Sequence, residues 1–366
     1  MLLEYRLVEL PLLSPFTTSF GTQTVRRALI FELRSNGVTA YSECVTDEEP
    51  HYSYEDNYTA LHIIRDHLVK LVSDLPKPEE FLRRASAIKG HNMAKAALEM
   101  LLWDYHAKLE NKPLYKFLGE TKGYADVGIS IGMDEPKNMV ERVGEALNKG
   151  YKRVKVKIAK GKELKIVEAI RSAYPDAPLS VDANCDYTLS DFHILKALDQ
   201  FHLLYIEQPL EHDDLIHHSK LAKLISTPIC LDESITSTEK CKKAFEIGAA
   251  RVVNIKPGRV AGLFPSLEIA KIARSFGGHV WVGGMLETGV GRSFNISFAS
   301  LSLVDYPGDT SPNEKYFEKD IVLNPFKMVN GRITPNHGAG IGIEVDYERL
   351  ERVTKTRGTL LEVVQT

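Results

Sequence analysis

The chain has 366 residues, with 46 Lys plus Arg against 49 Asp plus Glu, a formal net charge of −3 and 43% hydrophobic residues. This balance, without a basic tract, argues against nucleic acid or an acidic membrane surface as a partner. The opening Met1-Leu2-Leu3-Glu4-Tyr5-Arg6 mixes charged and apolar residues, so we expect neither a signal peptide nor a membrane span. Four cysteines without metal or redox spacing indicate reduced thiols in a cytoplasmic protein.

The first third of the chain predicts strands followed by helices. Strands are expected at residues 1–13 and 27–45, and Asn36-Gly37 within the second stretch is a strong hairpin-turn signal. Residues 15–22 predict a polar and aromatic loop, for which an ordinary surface connection stays open. Helical periodicity follows over 55–73, 78–89 and 91–111. A sheet followed by helices indicates an α+β domain, which we place at residues 1–122.

From Val127 onward, short apolar runs alternate with helical segments, which predicts a parallel sheet and a TIM-type barrel over residues 123–322. The final barrel strand is not obvious and is expected between Leu301 and Val322. Residues 323–366 do not alternate in this way, so we assign them to the N-terminal domain. The first seven barrel strands are predicted at Val127–Ile131, Arg153–Ile158, Leu179–Asp182, Leu204–Glu207, Ile229–Asp232, Val252–Lys256 and His279–Val282.

Five of these strands end on a charged residue, at intervals of 24 or 25 residues: Lys157, Asp182, Glu207, Asp232 and Lys256. Barrel enzymes carry their chemistry at the carboxyl ends of the strands. Three carboxylates that converge there need a counter-ion, and oxygen-only ligands suit Mg²⁺, with Mn²⁺ or another divalent metal as alternatives. One or two of the acids could instead be salt-bridged structural residues.

The lysines predict the reactive groups. Lys155 and Lys157 share one face of their strand, and we expect both to point into the barrel, because outward positions would bury them against helices. Their mutual repulsion is expected to lower at least one ammonium pKa, which suits a general base. Lys256 lies four strands further on and is expected across the barrel mouth.

This arrangement predicts a reaction on a small-molecule carboxylate bound to the metal between two amines. One lysine would remove the proton next to the carboxylate, and the metal would stabilise the resulting enediolate. The second lysine would protonate the opposite face, giving racemisation, or stabilise the intermediate during elimination. The residues do not decide between these outcomes.

Other residues near the strand ends have weaker assignments. Asn184 shares the face of Asp182 and could bond substrate or simply form a turn, while Glu233 could pair with a lysine. The segment Gly283–Gly291 predicts a wall of the substrate pocket, because Met285 and Leu286 bring apolar bulk; a phosphate-binding turn is the alternative.

Three histidines read as structural or surface residues. His279 begins a strand and is expected to be structural. The pair His217-His218 lies on a predicted helix, and we expect both to be solvated.

Five strand-end motifs resemble the muconate-lactonising subgroup of the enolase superfamily: Lys155-Val156-Lys157, Asp182-Ala183-Asn184, Glu207-Gln208-Pro209, Asp232-Glu233-Ser234 and Lys256-Pro257-Gly258-Arg259. Within that subgroup the chain most resembles the family of o-succinylbenzoate synthase and N-acylamino acid (N-succinylamino acid) racemase. The resemblance extends over essentially the whole chain, and further motifs that carry it are Pro15–Thr22, His91–Met100, Gly283–Gly289 and Gly308–Ser311.

The resemblance implies an α/β fold in which a modified TIM barrel, (β/α)7β, carries an N-terminal α+β capping domain completed by the C-terminal segment. Lys157 would be the acid/base, with Lys256 its partner on the opposite face or a stabilising cation. Mg²⁺ would be held by Asp182, Glu207 and Asp232, with Glu233 supporting them from behind. The implied substrate contacts are Lys155, Asn184, Ser130, Thr18, Ser19, Phe20, Gly283, Met285 and Leu286.

The resemblance also implies the substrates and a homo-oligomer. The loop Thr18–Thr22 and the segment near Tyr52 would close over the substrate. The synthase dehydrates 2-succinyl-6-hydroxy-2,4-cyclohexadiene-1-carboxylate in menaquinone biosynthesis, and relatives racemise N-acylated amino acids in the same site. Two departures from the family pattern, at Ala159–Lys162 and Gly338-Ala339-Gly340, lie near segments that could affect loop closure and substrate choice.

Four alternatives differ in what they require. Muconate cycloisomerase and dipeptide epimerase share the lysines and acids, but the epimerase is expected to carry Asp-x-Asp at the eighth strand. This chain has Asp305 and Asp309 but no such pair. A two-carboxylate glycosidase gains nothing from inward lysines near an oxocarbenium-like transition state. A non-catalytic metal-binding barrel gives no reason for Lys256 opposite Lys157.

Overall fold

The computed structural model describes residues 1–18 and 21–363. The strands are β1 Leu2–Thr18, β2 Gly21–Ser35, β3 Val38–Cys44, β4 Ala125–Asp126, β5 Gly128–Ile131, β6 Arg153–Lys157, β7 Leu179–Asp182, β8 Ile206–Glu207, β9 Ile229–Leu231, β10 Val252–Ile255, β11 His279–Val282, β12 Arg332–Ile333 and β13 Thr354–Glu362.

The helices are α1 Asn57–Ile63, α2 Pro78–Arg84, α3 Asn92–Leu109, α4 Leu114–Leu118, α5 Pro136–Asn148, α6 Glu163–Ala173, α7 Phe192–Ala197, α8 Leu215–Leu221, α9 Thr238–Glu246, α10 Leu263–Ser275, α11 Gly289–Ala299 and α12 Tyr347–Val353. A π-helical turn at Ile64–Leu68 and a 3₁₀ turn at Val69–Val72 prolong α1. No helix in the described part of the chain is both long and apolar enough to cross a membrane.

The capping sheet is antiparallel, in the order β13-β1-β2-β3. The predicted turn between β2 and β3 is confirmed: Ser35 pairs with Val38, and Asn36 and Gly37 adopt φ of 51° and 74°, as a two-residue hairpin turn requires. The prediction of a loop over residues 15–22 is wrong, because most of this segment belongs to strands β1 and β2. Strands β1 and β2 stay paired as far as Thr18 and Gly21, after an irregularity between Pro11 and Phe16.

The end of the chain returns to this sheet, because β13 pairs with β1 from Leu2–Glu362 to Val8–Thr354. The C-terminal segment also reaches the barrel side, where β12 pairs with β4. The pairing of β13 with β1 therefore supports the predicted return of the last residues to the capping domain. The domain limits 1–122, 123–322 and 323–366 stay predictions.

The second sheet is parallel, in the order β11-β10-β9-β8-β7-β6-β5, and its strands lie where the sequence predicts them. The undetermined eighth strand is the segment Asp305–Asp309, inside the expected window. Asp309 N donates to Val282 O on β11 at 2.8 Å, and Gly128 N on β5 donates to Gly308 O at 2.7 Å, which closes the barrel. Its one ladder bridge joins Gly308 to Val127, so it is too short to show strand periodicity.

Aromatic rings fill the barrel interior below the strand ends. Trp281 is fully buried and stacks on Tyr205, with ring centroids 5.9 Å apart. The cationic groups of Arg153 and Lys155 each lie 4.7 Å from the Trp281 ring centroid. This layer gives the strand-end charges an apolar floor on which cations are stabilised by the ring face.

The prediction that His217 and His218 are both solvated is wrong for His218. His218 is fully buried, its Nδ1 lies 2.6 Å from Asp214 O, and its Nε2 accepts the Leu210 N–H at 3.2 Å. On helix α8 the His218 ring points into the protein. The sequence alone does not show which of two adjacent histidines on a helix faces inward.

The capping sheet is joined to the barrel through Glu43 of β3. Its buried carboxylate accepts the N–H groups of Thr288 and Gly291, both at 3.0 Å, at the start of α11, and the Thr288 hydroxyl at 2.7 Å. Complete burial raises the pKa of Glu43 to about 8, although Arg26 and Thr288 oppose that rise. The carboxyl therefore binds a proton more tightly in the folded protein than its ordinary pKa of 4.5 implies.

We expect Glu43→Gln to flatten the pH dependence of stability. Between pH 4.5 and about 8 the folded protein keeps a proton on Glu43 that the unfolded chain has released. Glu43 therefore makes the free energy of unfolding fall as pH rises, by up to about 1.4 kcal/mol per pH unit. Urea unfolding at several pH values measures this slope, with exposed Glu348→Gln as the control. Equal slopes for wild type and Glu43→Gln would contradict the expectation.

Candidate active site

Three buried carboxylates lie at the carboxyl ends of adjacent parallel strands. Asp182 pairs in register with Lys157 on one side and Glu207 on the other, Glu207 pairs with Cys230, and Asp232 follows two residues later. The three acids are only 2%, 0% and 3% exposed. Because parallel strands place their carboxyl ends at one edge, the row follows from the strand register.

Both lysines of β6 point into the barrel. Lys155 Nζ donates to Glu207 Oε2 at 2.7 Å, and Lys157 Nζ donates to Asp182 Oδ2 at 2.6 Å. Burial alone would lower the pKa of Lys155, but the charges of Asp309, Glu207 and Asp182 raise it well above its ordinary value. The expected lowering of an ammonium pKa is not found at Lys155, because the surrounding carboxylates outweigh repulsion between the two cations.

Lys256 lies at the opposite flank of the carboxylate row. Its Nζ donates to Asp232 Oδ2 at 2.9 Å and to Tyr52 Oη at 3.1 Å, and the Tyr52 hydroxyl donates to Asp232 Oδ1 at 3.0 Å. Arg259 also forms an ion pair with Asp232. Burial would raise the pKa of Asp232, but Lys256 and Arg259 lower it to about 2, so this carboxyl is ionised.

The two candidate catalytic lysines are thus separated by the acids. Strands β7, β8 and β9 lie between β6, which carries Lys157, and β10, which precedes Lys256. Both side chains nevertheless line the same cavity. A substrate in that cavity would meet one amine from the Asp182 side and the other from the Asp232 side.

Asn184 and Glu233 support the row. Asn184 Oδ1 accepts from Lys157 Nζ at 2.5 Å, and Asn184 Nδ2 donates to Glu233 Oε1 at 3.1 Å. Burial and then Asp232 raise the pKa of Glu233 to about 7. Asn184, Cys185 and Gln208 adopt φ of 43°, 65° and 36°, so the backbone is held in the left-handed region directly after β7 and β8.

The cavity has a volume of about 490 Å³ and lies between the capping domain and the barrel mouth. Glu207 is fully buried and does not line the cavity. At Gly283 a Cβ atom would come 2.7 Å from Lys256 Cε, so the missing side chain there makes room for the lysine. The predicted site residues that line the cavity are Ser130, Lys155, Lys157, Asp182, Asn184, Asp232, Lys256, Met285 and Leu286.

The capping domain contributes the outer wall. Phe16 and Thr22, on the two arms of the β1–β2 hairpin, line the cavity, as does Tyr52. Thr18 is the last described residue of β1, and the predicted substrate contacts Ser19 and Phe20 lie outside the described residues.

The carboxylate oxygens of Asp182, Glu207 and Asp232 are chemically suited to a divalent metal ion, although in this structure they are paired with lysine side chains. Over residues 1–18 and 21–363, no three His, Cys, Asp or Glu side chains are arranged to hold one ion, since lysine ammonium groups take the carboxylate oxygens. Burial and then the charge of Asp182 raise the pKa of Glu207 to about 8. Clustered buried carboxylates of this kind need shared positive charge, and hard oxygen donors suit Mg²⁺.

Sequence reasoning missed two charged residues of the site. Arg259 follows Lys256 by three residues and pairs with Asp232. Asp309 forms ion pairs with Arg153 and Lys155 at 2.7 and 3.0 Å. Asp309 ends the eighth strand as the other acids end theirs, but that strand has no periodicity of its own from which its end could be predicted.

Two family models match the chain. Residues 3–119 match the N-terminal domain of mandelate racemase / muconate lactonizing enzyme, and residues 138–350 match the enolase C-terminal domain-like family. The first match spans β1 to α4, and the second runs from α5 into α12.

Curated relatives and solved structures agree with these matches. The chain is 43% identical to an o-succinylbenzoate synthase of Geobacillus kaustophilus over 96% of this chain and 94% of the relative. It is 42% identical to an N-succinylamino acid racemase of Thermus thermophilus over 96% of both. A solved enolase superfamily member from Listeria innocua superposes with a TM-score of 0.96 and 39% identity, covering 98% of each chain.

With both domains matched and relatives of this identity aligned along nearly its whole length, the chain belongs to the enolase superfamily, in the mandelate racemase / muconate lactonizing enzyme family.

Proposed function

We propose that the protein removes the proton next to a substrate carboxylate with the aid of a divalent metal ion, as an o-succinylbenzoate synthase, an N-succinylamino acid racemase, or both. The observation that carries this proposal is the placement of Lys157 and Lys256 at opposite flanks of a carboxylate row in one cavity. Relatives of both names are about equally similar to this chain, at 43% and 42% identity.

The residues divide the work by position. Mg²⁺, when bound by Asp182, Glu207 and Asp232, supplies positive charge that stabilises a dianionic transition state. Lys157, which is 16% exposed at its side chain and lines the cavity, takes the α-proton and leaves an enediolate. Lys256 returns a proton to the opposite face in racemisation, or stabilises the intermediate while a hydroxide leaves in dehydration.

The other lining residues hold the substrate. Lys155 gives the substrate carboxylate a cation, and Ser130 and Asn184 offer polar groups beside it. Met285 and Leu286 form an apolar wall, which suits the carbon skeleton of an acyl chain or ring. The φ of Leu286, 55°, places this wall on a constrained turn after β11.

The dipeptide epimerase alternative has less support. An epimerase substrate carries a free ammonium group that needs an available carboxylate, whereas Asp309 is already paired with Arg153 and Lys155. Solved epimerase and muconate lactonizing structures are 22% identical to this chain, which shows a shared fold alone.

Two assays test the proposal on the purified protein with Mg²⁺. In D₂O, ¹H NMR should show loss of the α-proton signal of an N-succinyl amino acid, and ultraviolet absorbance should show dehydration of 2-succinyl-6-hydroxy-2,4-cyclohexadiene-1-carboxylate. Dehydration without exchange would assign the synthase alone, and a role in menaquinone biosynthesis. If the protein binds the metal ion but shows neither activity, the non-catalytic metal-binding barrel becomes the favoured function. The cytoplasmic location and homo-oligomeric state stay predictions.

A further inference from the structure

Asp309 is placed by the closure of the barrel and not by a regular strand. Its N–H donates to Val282 O at 2.8 Å, and its side chain, 16% exposed, faces the cavity. Oδ1 accepts from Arg153 Nη2 at 2.7 Å, while Oδ2 accepts from Ser130 Oγ at 2.9 Å and lies 3.0 Å from Lys155 Nζ. Three side chains from β5 and β6 thus converge on one carboxylate.

Arg153 holds this anion in place from the barrel interior. Its guanidinium is 1% exposed, donates to Pro307 O at 3.1 and 3.2 Å, and lies over the Trp281 ring. In the described part of the chain its ion-pair partner is Asp309. Asp309 is therefore held from behind by a cation that takes no part in the cavity.

Lys155 is shared between this fixed anion and the carboxylate row. Its Nζ lies 2.7 Å from Glu207 Oε2, 3.4 Å from Asp182 Oδ2 and 3.0 Å from Asp309 Oδ2. An ammonium group that stays on Glu207 and Asp182 competes with a metal ion for the same oxygens. If the Lys155 ammonium group instead pairs with Asp309 on its other side, the oxygens of Glu207 and Asp182 are free to bind the metal ion.

We propose that Asp309 is a positioning residue that draws Lys155 away from Glu207 and Asp182, so that these two carboxylates can bind a divalent cation while Lys155 faces the substrate carboxylate. This inference rests on the proposed function for the identity of the cation site. It assigns a role to the Gly308–Ser311 motif, which none of the proposed chemical steps uses.

The test measures metal affinity by isothermal titration calorimetry with Mn²⁺ alone, without substrate. Asp309→Asn should weaken Mn²⁺ binding by about 10–100-fold, the usual effect of losing an outer partner of a metal site. The matched control is Asp305→Asn, because Asp305 has the same charge four residues earlier but pairs with Arg274 and His279. The control should bind Mn²⁺ like wild type.

Two further variants separate positioning from a general structural role. In the double variant Asp309→Asn/Lys155→Met the competing ammonium is gone, so Mn²⁺ affinity should recover towards that of Lys155→Met alone. Asp309→Glu keeps the anion and should bind Mn²⁺ within a few-fold of wild type. If Asp309→Asn alone does not fold, as judged by circular dichroism, a folded double variant that binds Mn²⁺ less tightly than Lys155→Met still overturns the positioning role.

Wild-type affinity in Asp309→Asn, or no recovery in the double variant, would overturn the positioning role. Wild type that binds no Mn²⁺ at all would instead overturn the proposed cation site, so the two failures are distinguishable.

Discussion

Replacement of Lys157 by alanine should reduce α-proton exchange by about 10²–10⁴-fold, the usual contribution of a general base. Lys157 is the β6 lysine that combines exposure to the cavity with direct contact to Asp182 and Asn184. Alanine cannot accept the proton, whereas Asp182, which loses an ammonium partner, stays available to a cation. Exchange in D₂O followed by ¹H NMR measures the rate, and calorimetry with Mn²⁺ measures binding.

The matched control is Lys160→Ala. Lys160 lies three residues further along, is 43% exposed at its side chain and pairs with Asp191 away from the cavity. The Lys160→Ala variant should exchange the α-proton of the substrate at the wild-type rate. Full turnover in Lys157→Ala, with metal bound, would contradict the assigned base and favour a barrel that binds metal without catalysis.

Glu207→Gln should lower Mn²⁺ affinity by more than the ~10–100-fold that loss of an outer partner costs, and should abolish both activities. Glu207 is fully buried in the centre of the row, where it pairs with Lys155 and accepts from Asn254 Nδ2 at 2.8 Å. Glutamine keeps the shape but removes the charge that a cation needs. Chelation of wild type should cause the same loss of activity, which added Mg²⁺ reverses.

Glu233→Gln is the control within the site, because Glu233 is a buried carboxylate beside Asp232 that bonds Asn184. It should reduce Mn²⁺ affinity less than Glu207→Gln does. Equal affinities of Glu207→Gln and wild type would contradict the assignment of Glu207 as a ligand. Thermal melts of each variant check that the fold is kept.

The strand periodicity of this chain predicted most of its barrel. Runs such as Leu179–Asp182 are apolar, short and followed by helical segments, and parallel pairing then fixes which residues share an edge. The row of Asp182, Glu207 and Asp232 could be predicted for this reason, since a residue's place in a parallel ladder follows from its distance from the strand end.

Residues outside regular ladders could not be placed in this way. Asp305–Asp309 closes the barrel through isolated backbone bonds, so it lacks the alternation that marks a strand. The arms of the β1–β2 hairpin stay paired through a polar segment because the partner strand, and not the residue pattern, supplies the hydrogen bonds.

The sequence by itself determined the order of the strands and the chemical identity of the strand-end groups, because both follow from local periodicity and spacing. Only the tertiary structure decided which charges meet. Asp309 contacts Lys155, and both Tyr52 and Arg259 contact Asp232. The contacts of Asp309 with Lys155 and of Tyr52 with Asp232 each join residues more than a hundred positions apart in the sequence. Electrostatic interactions depend on distances in space, so the raised pKa of Lys155 could not be foreseen from its spacing to Lys157.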